Sequence, residues 1–317
     1  MNMKAVFLDA QSLTDLNLET LSQCFNNFTA YDATSPHEVA DRVRGADVII
    51  VNKVVLDSDT LASNPSLKLI CVVATGVNNV DLEAARSQGI AVFNCQAYGV
   101  PSVVQHTFSL MLALQTNLLS YHQAVQAGEW QKSTQFCLLD FPIRELSGKT
   151  LGLIGSGNLG QGVAEIAKAF GMKVIIGARP GTAPTEGRVA LAELYRQADV
   201  ISLHCPLTEQ TENLINADVF NQMKPEAILI NVARGGIVNE ADLADALRKG
   251  KIAGAATDVL ISEPPTSDNP LLVGDIPNLI VTPHSAWGSI EARQRILDQT
   301  IENVKAFRAG DTLRRIV

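Results

Sequence analysis

Residues 151–171 read L-G-L-I-G-S-G-N-L-G-Q-G-V-A-E-I-A-K-A-F-G. A short apolar run ends in a cluster of glycines, and a helix-like pattern follows at once. Gly155, Gly157 and Gly160 have the G-x-G-x-x-G spacing between a strand and a helix, the context in which that spacing binds a dinucleotide. Gly155 permits the tight turn, Gly157 lets the backbone approach a pyrophosphate, and Gly160 allows close helix packing. Asn158 and Leu159 complete the turn, and the phosphates face the helix N-terminus. The stretch therefore predicts a parallel sheet covered by helices on both faces.

The next strand reads K-V-I-I-G-A-R-P-G (173–181). An acid that binds the adenosine ribose 2′-hydroxyl is expected at its end, ~20 residues past the glycines. Gly177 and Ala178 stand there instead, and Arg179 follows as a donor suited to a 2′-phosphate. This predicts NADP(H) in preference to NAD(H). Further strands are read at V-I-S-L-H (200–204), A-I-L-I-N-V (227–232), A-G-A-A-T-D-V (253–259) and N-L-I-V-T-P (278–283), which makes 101–287 a dinucleotide-binding domain.

Upstream, K-A-V-F-L-D-A (4–10), A-D-V-I-I-V-N (46–52), L-K-L-I-C-V-V-A (67–74) and I-A-V-F-N (90–94) are short apolar runs separated by helix-like segments, the signature of parallel βαβ units. After Ser289, apolar residues at Ile290, Ile296, Leu297, Ile301, Val304 and Phe307 recur with helical spacing up to Gly310. That helix is expected to cross back onto the first domain. The fold class expected is α/β, with two Rossmann-like doubly wound parallel-sheet domains flanking a cleft. Residues 1–100 plus 288–317 form the substrate-binding (catalytic) domain, and hinges are expected near 100 and 288. Residues 101–127 open on a proline and run without a breaker to Gly128, so they predict one long apolar helix, suited to pairing two subunits as a homodimer.

The chain's 317 residues suit two domains at roughly 150 residues each. Its 25 basic against 33 acidic side chains leave a formal charge of −8, which argues against nucleic acid or an anionic membrane as partner. Hydrophobic residues at 46% and charged residues at 18% exclude a disordered chain. No apolar stretch approaches the ~20 residues of a membrane span, and the N-terminus lacks a secretory signal, so a cytoplasmic protein is expected. Cys24, Cys71, Cys95, Cys137 and Cys205 show neither disulfide nor zinc-ribbon spacing, and no metal is expected.

Three later segments place polar residues at strand ends: N-V-A-R-G-G-I-V-N-E (231–240), D-V-L-I-S-E-P-P (258–265) and T-P-H-S-A-W-G (282–288). With the glycine loop, A-T-G-V-N-N-V-D (74–81), F-C-L-L-D-F-P-I-R-E-L-S-G-K-T-L-G (136–152) and L-H-C-P-L-T (203–208), they resemble the D-isomer-specific 2-hydroxyacid dehydrogenase family over nearly the whole chain. The resemblance is strongest to its glycerate dehydrogenase (hydroxypyruvate reductase) branch. It implies that Arg234, Glu263 and His284 carry the chemistry on a small 2-oxo/2-hydroxy acid, most closely hydroxypyruvate/D-glycerate and also glyoxylate.

Those residue types suit the reaction. A guanidinium fork can hold a carboxylate and the neighbouring carbonyl, which is the role expected of Arg234. The oxygen that gains charge as hydride arrives needs a general acid, His284. Glu263, paired to the other ring nitrogen, would orient the imidazole and keep it protonated for reduction. The resemblance further implies that the backbone of Thr75, Gly76 and Val77 holds the substrate carboxylate, and that Asp258 accepts from the nicotinamide carboxamide. It also places His204, Cys205, Pro206, Thr211, Val232 and Ala233 along the cofactor. Trp287, three residues after His284, is expected to shape the pocket wall.

Gln105 stands where many relatives carry Glu. Formate dehydrogenases of the family pair their histidine with Gln, so Glu263 favours a hydroxy acid, and phosphoglycerate dehydrogenases often add a regulatory domain. A dinucleotide-sensing corepressor and a methyltransferase with a glycine-rich turn are the readings from other classes. The intact Arg234, Glu263 and His284 weigh against both.

Overall fold

The computed structural model describes residues 3–317. The chain divides into two compact units, one running to Gly99 and resuming over Gly288–Val317, the other spanning Val100–Trp287.

In the first unit, β1 (Lys4–Phe7), β2 (Asn27–Ala30), β3 (Val48–Val51), β4 (Leu69–Val72) and β5 (Ala91–Phe93) pair in parallel in the order β2-β1-β3-β4-β5. β3 and β4 are buried at every residue, as unbroken V-I-I-V and L-I-C-V runs should be when helices cover both faces. Asp9, just past β1, accepts backbone N–H bonds from Asn52, Lys53 and Val54 at 2.7, 2.6 and 3.1 Å, tying the loop after β3 to the end of β1.

The C-terminal helix Ile290–Ala309 starts at Ser289, whose hydroxyl accepts from the Ala292 N–H, and stops at Gly310 in the left-handed conformation. It packs against β4. The chain then returns to β5, where Ile316 N–H donates to Val92 O at 2.7 Å and Arg315 bridges Phe93 antiparallel.

In the second unit, β6 (Thr150–Ile154), β7 (Lys173–Ile176), β8 (Val200–Leu203), β9 (Ile228–Asn231), β10 (Gly254–Thr257) and β11 (Leu279–Val281) also pair in parallel, in the order β11-β10-β9-β8-β6-β7. Beyond β7, Val189 makes a lone parallel bridge with Gly177, so the next place in the sheet is taken by a single residue. The strand order reverses between β6 and β8, and open α/β sheets bind ligands outside the carboxyl ends of their strands at such a point.

The stretch expected as one helix over 101–127 is two. Val100–Gln115 buries Val103, Val104, Phe108, Leu110 and Met111 against this unit's core. Asn117 then turns left-handed at φ +50°, its side-chain amide donating to Pro142 O at 2.5 Å, and Leu118–Gln126 follows with no buried residue. Asparagine tolerates that conformation better than most residues, which is why a chain with no glycine or proline here still breaks.

Candidate active site

The glycine loop leaves β6 at Gly155, whose φ is +102°. A Cβ there would lie 2.4 Å from the backbone carbon of His204, and one on Gly160 would lie 2.2 Å from Gly155 O. Both positions are therefore closed to side chains by backbone. Gly157 is different: a Cβ on it meets nothing within 4 Å. It is also the N-cap of the helix Asn158–Ala169, with no side chain capping the first-turn N–H groups. An open glycine beside uncapped amides at the positive end of a helix dipole fits a dinucleotide diphosphate.

At the end of β8, His204 sits behind this loop. Its Nε2 lies 2.8 Å from Ser202 Oγ, and its Nδ1 is buried without a hydrogen-bond partner. Burial pushes the ring down to about 4 from an ordinary 6.5, so it is neutral at physiological pH. The unfolded chain then binds the extra proton between these two values, and native stability falls as pH drops from about 6.5 to about 4. We expect the thermal midpoint of the wild-type protein to fall across this window more steeply than that of His204→Gln. Equal slopes would place the acid sensitivity elsewhere. Next to it, Cys205 is buried, and Thr211 closes the loop by donating to Pro206 O at 2.8 Å while accepting from Thr208 N–H at 2.7 Å.

At the end of β9, Asn231 shapes the turn that presents Arg234: its side chain donates to Arg234 O at 2.9 Å and accepts from Ala233 N–H at 3.1 Å. Val232 and Ala233 are buried, whereas Arg234 is exposed, its guanidinium donating to Ala233 O at 2.7 Å. A Cβ on Gly235 would lie 2.0 Å from the Leu260 carbonyl carbon, so the Arg234 turn is seated directly on the loop that carries Glu263.

That loop follows β10. One oxygen of Glu263 accepts from Leu260 N–H at 2.9 Å, and the other meets His284 Nδ1 at 2.6 Å. His284, at φ +52°, follows β11, and both partners of the pair are about one-third exposed. Tying Nδ1 to the carboxylate fixes the ring and leaves Nε2 as the nitrogen for a reacting group.

Asp258, of which a contact to the nicotinamide carboxamide is expected, follows β10 and reaches the loop that carries His284. Only 1% exposed, it accepts Thr282 Oγ1 at 2.6 Å and the N–H groups of Ser285 and Ala286 at 2.9 Å each. Its backbone oxygen takes His284 N–H at 2.8 Å. The buried carboxylate thus holds the loop that carries His284. His106, for which the sequence suggested no role, stands behind this anchor, with Nε2 3.0 Å from Thr282 Oγ1 and 3.5 Å from Asp258 Oδ1.

Arg234, Glu263 and His284 thus come from the ends of β9, β10 and β11. Trp287 is partly buried and packs against this unit's core. Thr75, Gly76 and Val77 lie in the first unit, in the loop after β4, where Asn94 donates its side-chain amide to Thr75 O at 2.7 Å. Arg179 is exposed after β7, and its carbonyl accepts from Thr182. Sequence reading missed Arg188, which reaches Gly177 O at 3.0 Å and Ser156 Oγ at 2.5 Å. Only the pairing of Val189 with Gly177 brings it to the glycine loop, and that pairing leaves no spacing motif.

Residues 108–286 match the family model described as D-isomer specific 2-hydroxyacid dehydrogenase, NAD binding domain. The chain belongs to the D-isomer-specific 2-hydroxyacid dehydrogenase family, and it is an oxidoreductase of that Rossmann-type class. It is 46% identical over 314 residues to a glycerate dehydrogenase of Methylorubrum extorquens, covering 98% of each chain. It is 38% identical over 320 residues to a hydroxypyruvate reductase of Blautia hydrogenotrophica, covering 97% of this chain and 98% of that one. Among solved structures, it is similar to an acyclic imino acid reductase in complex with NADPH and D-Arg, at TM-score 0.86 and 30% identity over 99% of this chain and 100% of that one.

Proposed function

We propose that the protein interconverts a small 2-oxo acid and its D-2-hydroxy acid, most closely hydroxypyruvate and D-glycerate and also glyoxylate, with NADP(H) preferred over NAD(H). The observation that carries the reading is the 2.6 Å contact between Glu263 and His284 Nδ1, with the second glutamate oxygen held by Leu260 N–H. A carboxylate buttressed in this way holds an imidazole in one orientation and one tautomer.

Gly155, Gly157 and Gly160 would receive the dinucleotide with the first-turn amides at Asn158 and Leu159, and the ends of β8 and β9 would line its path. When bound, the nicotinamide supplies the hydride that reduces the 2-oxo carbon. Arg234 grips the substrate carboxylate and the adjacent carbonyl oxygen through its two-pronged guanidinium. His284 Nε2 gives a proton to that oxygen in reduction and takes it back in oxidation, while Glu263 keeps Nδ1 turned away. Asp258 and His106 keep the 282–286 loop in place. The small loop at Thr75, Gly76 and Val77 offers backbone amides of the kind that suit a carboxylate. The names of the glycerate dehydrogenase and hydroxypyruvate reductase relatives support the choice of substrate. The missing acid at Gly177 and Ala178 supports the cofactor preference.

Initial rates with hydroxypyruvate, glyoxylate and a panel of bulkier 2-oxo acids, each with NADPH and with NADH, test both parts. A bulky aromatic or branched acid tenfold better than hydroxypyruvate in kcat/KM would refute the substrate, and a clear NADH preference would refute the cofactor. For the pair itself, Glu263→Gln is expected to lower kcat about ten- to hundredfold, the usual cost of losing a group that orients a working histidine, with KM for NADPH within about threefold. Unchanged kcat would show that the pair is structural only.

Among the described residues no helix is long and apolar enough to cross a membrane. The acidic composition and the free cysteines support a cytoplasmic setting. Leu118, Leu119, Trp130 and Phe136 are 59%, 49%, 50% and 91% exposed along Leu118–Gln126, the short helix Glu129–Lys132 and the loop beyond it, which supports a homodimer through this face. Light scattering should return twice the chain mass.

A further inference from the structure

The end of β7 carries small residues where an acid would bind an unphosphorylated ribose, and leucine side chains crowd the first of them. A Cβ on Gly177 would lie 2.8 Å from Leu191 Cδ2 and 3.2 Å from Leu194 Cδ1, two side chains that pack the helix Leu191–Gln197 under this strand. Ala178 is 3% exposed. A side chain at Gly177 would have to displace these leucine methyls.

A cation occupies the same neighbourhood. Val189 N–H donates to Ile176 O at 2.9 Å, and Ala178 N–H donates to Val189 O at 2.8 Å, so the chain returns alongside β7 at the residue after Arg188. From there the Arg188 guanidinium spans two anchors, Gly177 O at the strand end and Ser156 Oγ between the first two glycines of the loop. Among the described residues no carboxylate lies within ion-pair distance of it, so its charge is left for a ligand. Arg179 is exposed, and its guanidinium makes no hydrogen bond among the described residues. A guanidinium already held on two sides loses less freedom on meeting an anion than one on a loose loop.

We infer that Arg188, not Arg179, is the specificity-determining residue that recognises the adenosine 2′-phosphate, with Ser156 and Gly177 O positioning its guanidinium beside the glycine loop. The inference rests on the NADP(H) reading above for its biological use. Direct binding separates the two. Adenosine 2′,5′-bisphosphate and ADP are titrated calorimetrically into the wild-type protein, Arg188→Gln, Arg188→Lys and Arg179→Gln, with thermal melts to verify folding.

Arg188→Gln should weaken the bisphosphate by about ten- to hundredfold, the size expected for lost charge-assisted hydrogen bonds. ADP should change by no more than about threefold. Arg188→Lys should fall between, and Arg179→Gln should leave the bisphosphate within about threefold. Equal weakening of both ligands by Arg188→Gln would make Arg188 a brace of the loop and overturn the assignment. So would a selective loss confined to Arg179→Gln, or a wild-type protein that holds the bisphosphate no better than ADP. A wild type that turns over NADH faster, yet loses bisphosphate selectivity in Arg188→Gln, would sink the cofactor preference and leave the assignment standing.

Discussion

Replacing His284 with Asn should lower kcat for hydroxypyruvate reduction by about a hundred- to ten-thousandfold, the range for losing a positioned general acid, with NADPH affinity nearly unchanged. The size follows from the site. His284 hangs on a loop gathered by the buried Asp258 carboxylate, and its Nδ1 is committed to Glu263, so Nε2 has one well-defined place. Asparagine keeps a polar group near Glu263 and spares the loop, so the variant removes the proton donor while leaving the scaffold intact. Pre-steady-state measurement of nicotinamide absorbance should show the hydride step itself slowed. If only product release slows, His284 is not the acid.

Arg234→Ala should cost about a hundred- to a thousandfold in kcat/KM, since two charge-assisted hydrogen bonds of about 1.5–3 kcal/mol each are lost with only partial independence. Arg234 meets the conditions for such a loss. It is exposed at the end of β9, no carboxylate pairs with it among the described residues, and its turn is held by Asn231 and seated on Leu260 at Gly235. Arg234→Lys should recover part of KM and little of kcat, because an ammonium attracts the carboxylate but cannot also fork to the carbonyl. Equal recovery of both would mean that Arg234 supplies charge and no geometry.

Most of this architecture could be read from apolar runs, because a parallel sheet buried on both faces leaves unbroken stretches such as V-I-I-V and L-I-C-V. β2 escaped, because an edge strand reading N-F-T-A with no buried residue carries no such signature. The break at Asn117 escaped too, since it depends on an amide reaching Pro142, 25 residues away. The candidate site divides along the same line. Arg234, Glu263 and His284 stand in short motifs at strand ends and were legible. The burial of Asp258 beneath the 282–286 loop, His106 behind it and the reach of Arg188 to Ser156 arise from contacts between distant segments, which no local pattern encodes.

The division of the first unit also has a bearing on how the chain is made. β1 to β5 leave the ribosome before the second unit, but the helix that packs on β4 and the strand-like segment that closes on Val92 are synthesised after it. Until Val100–Trp287 has been translated, the early sheet must wait with that face and that edge uncovered. The second unit, continuous in sequence, can complete itself in the meantime. These two units should therefore mature from the middle outward, and chaperone contact should concentrate on the sheet translated ahead of Val100–Trp287.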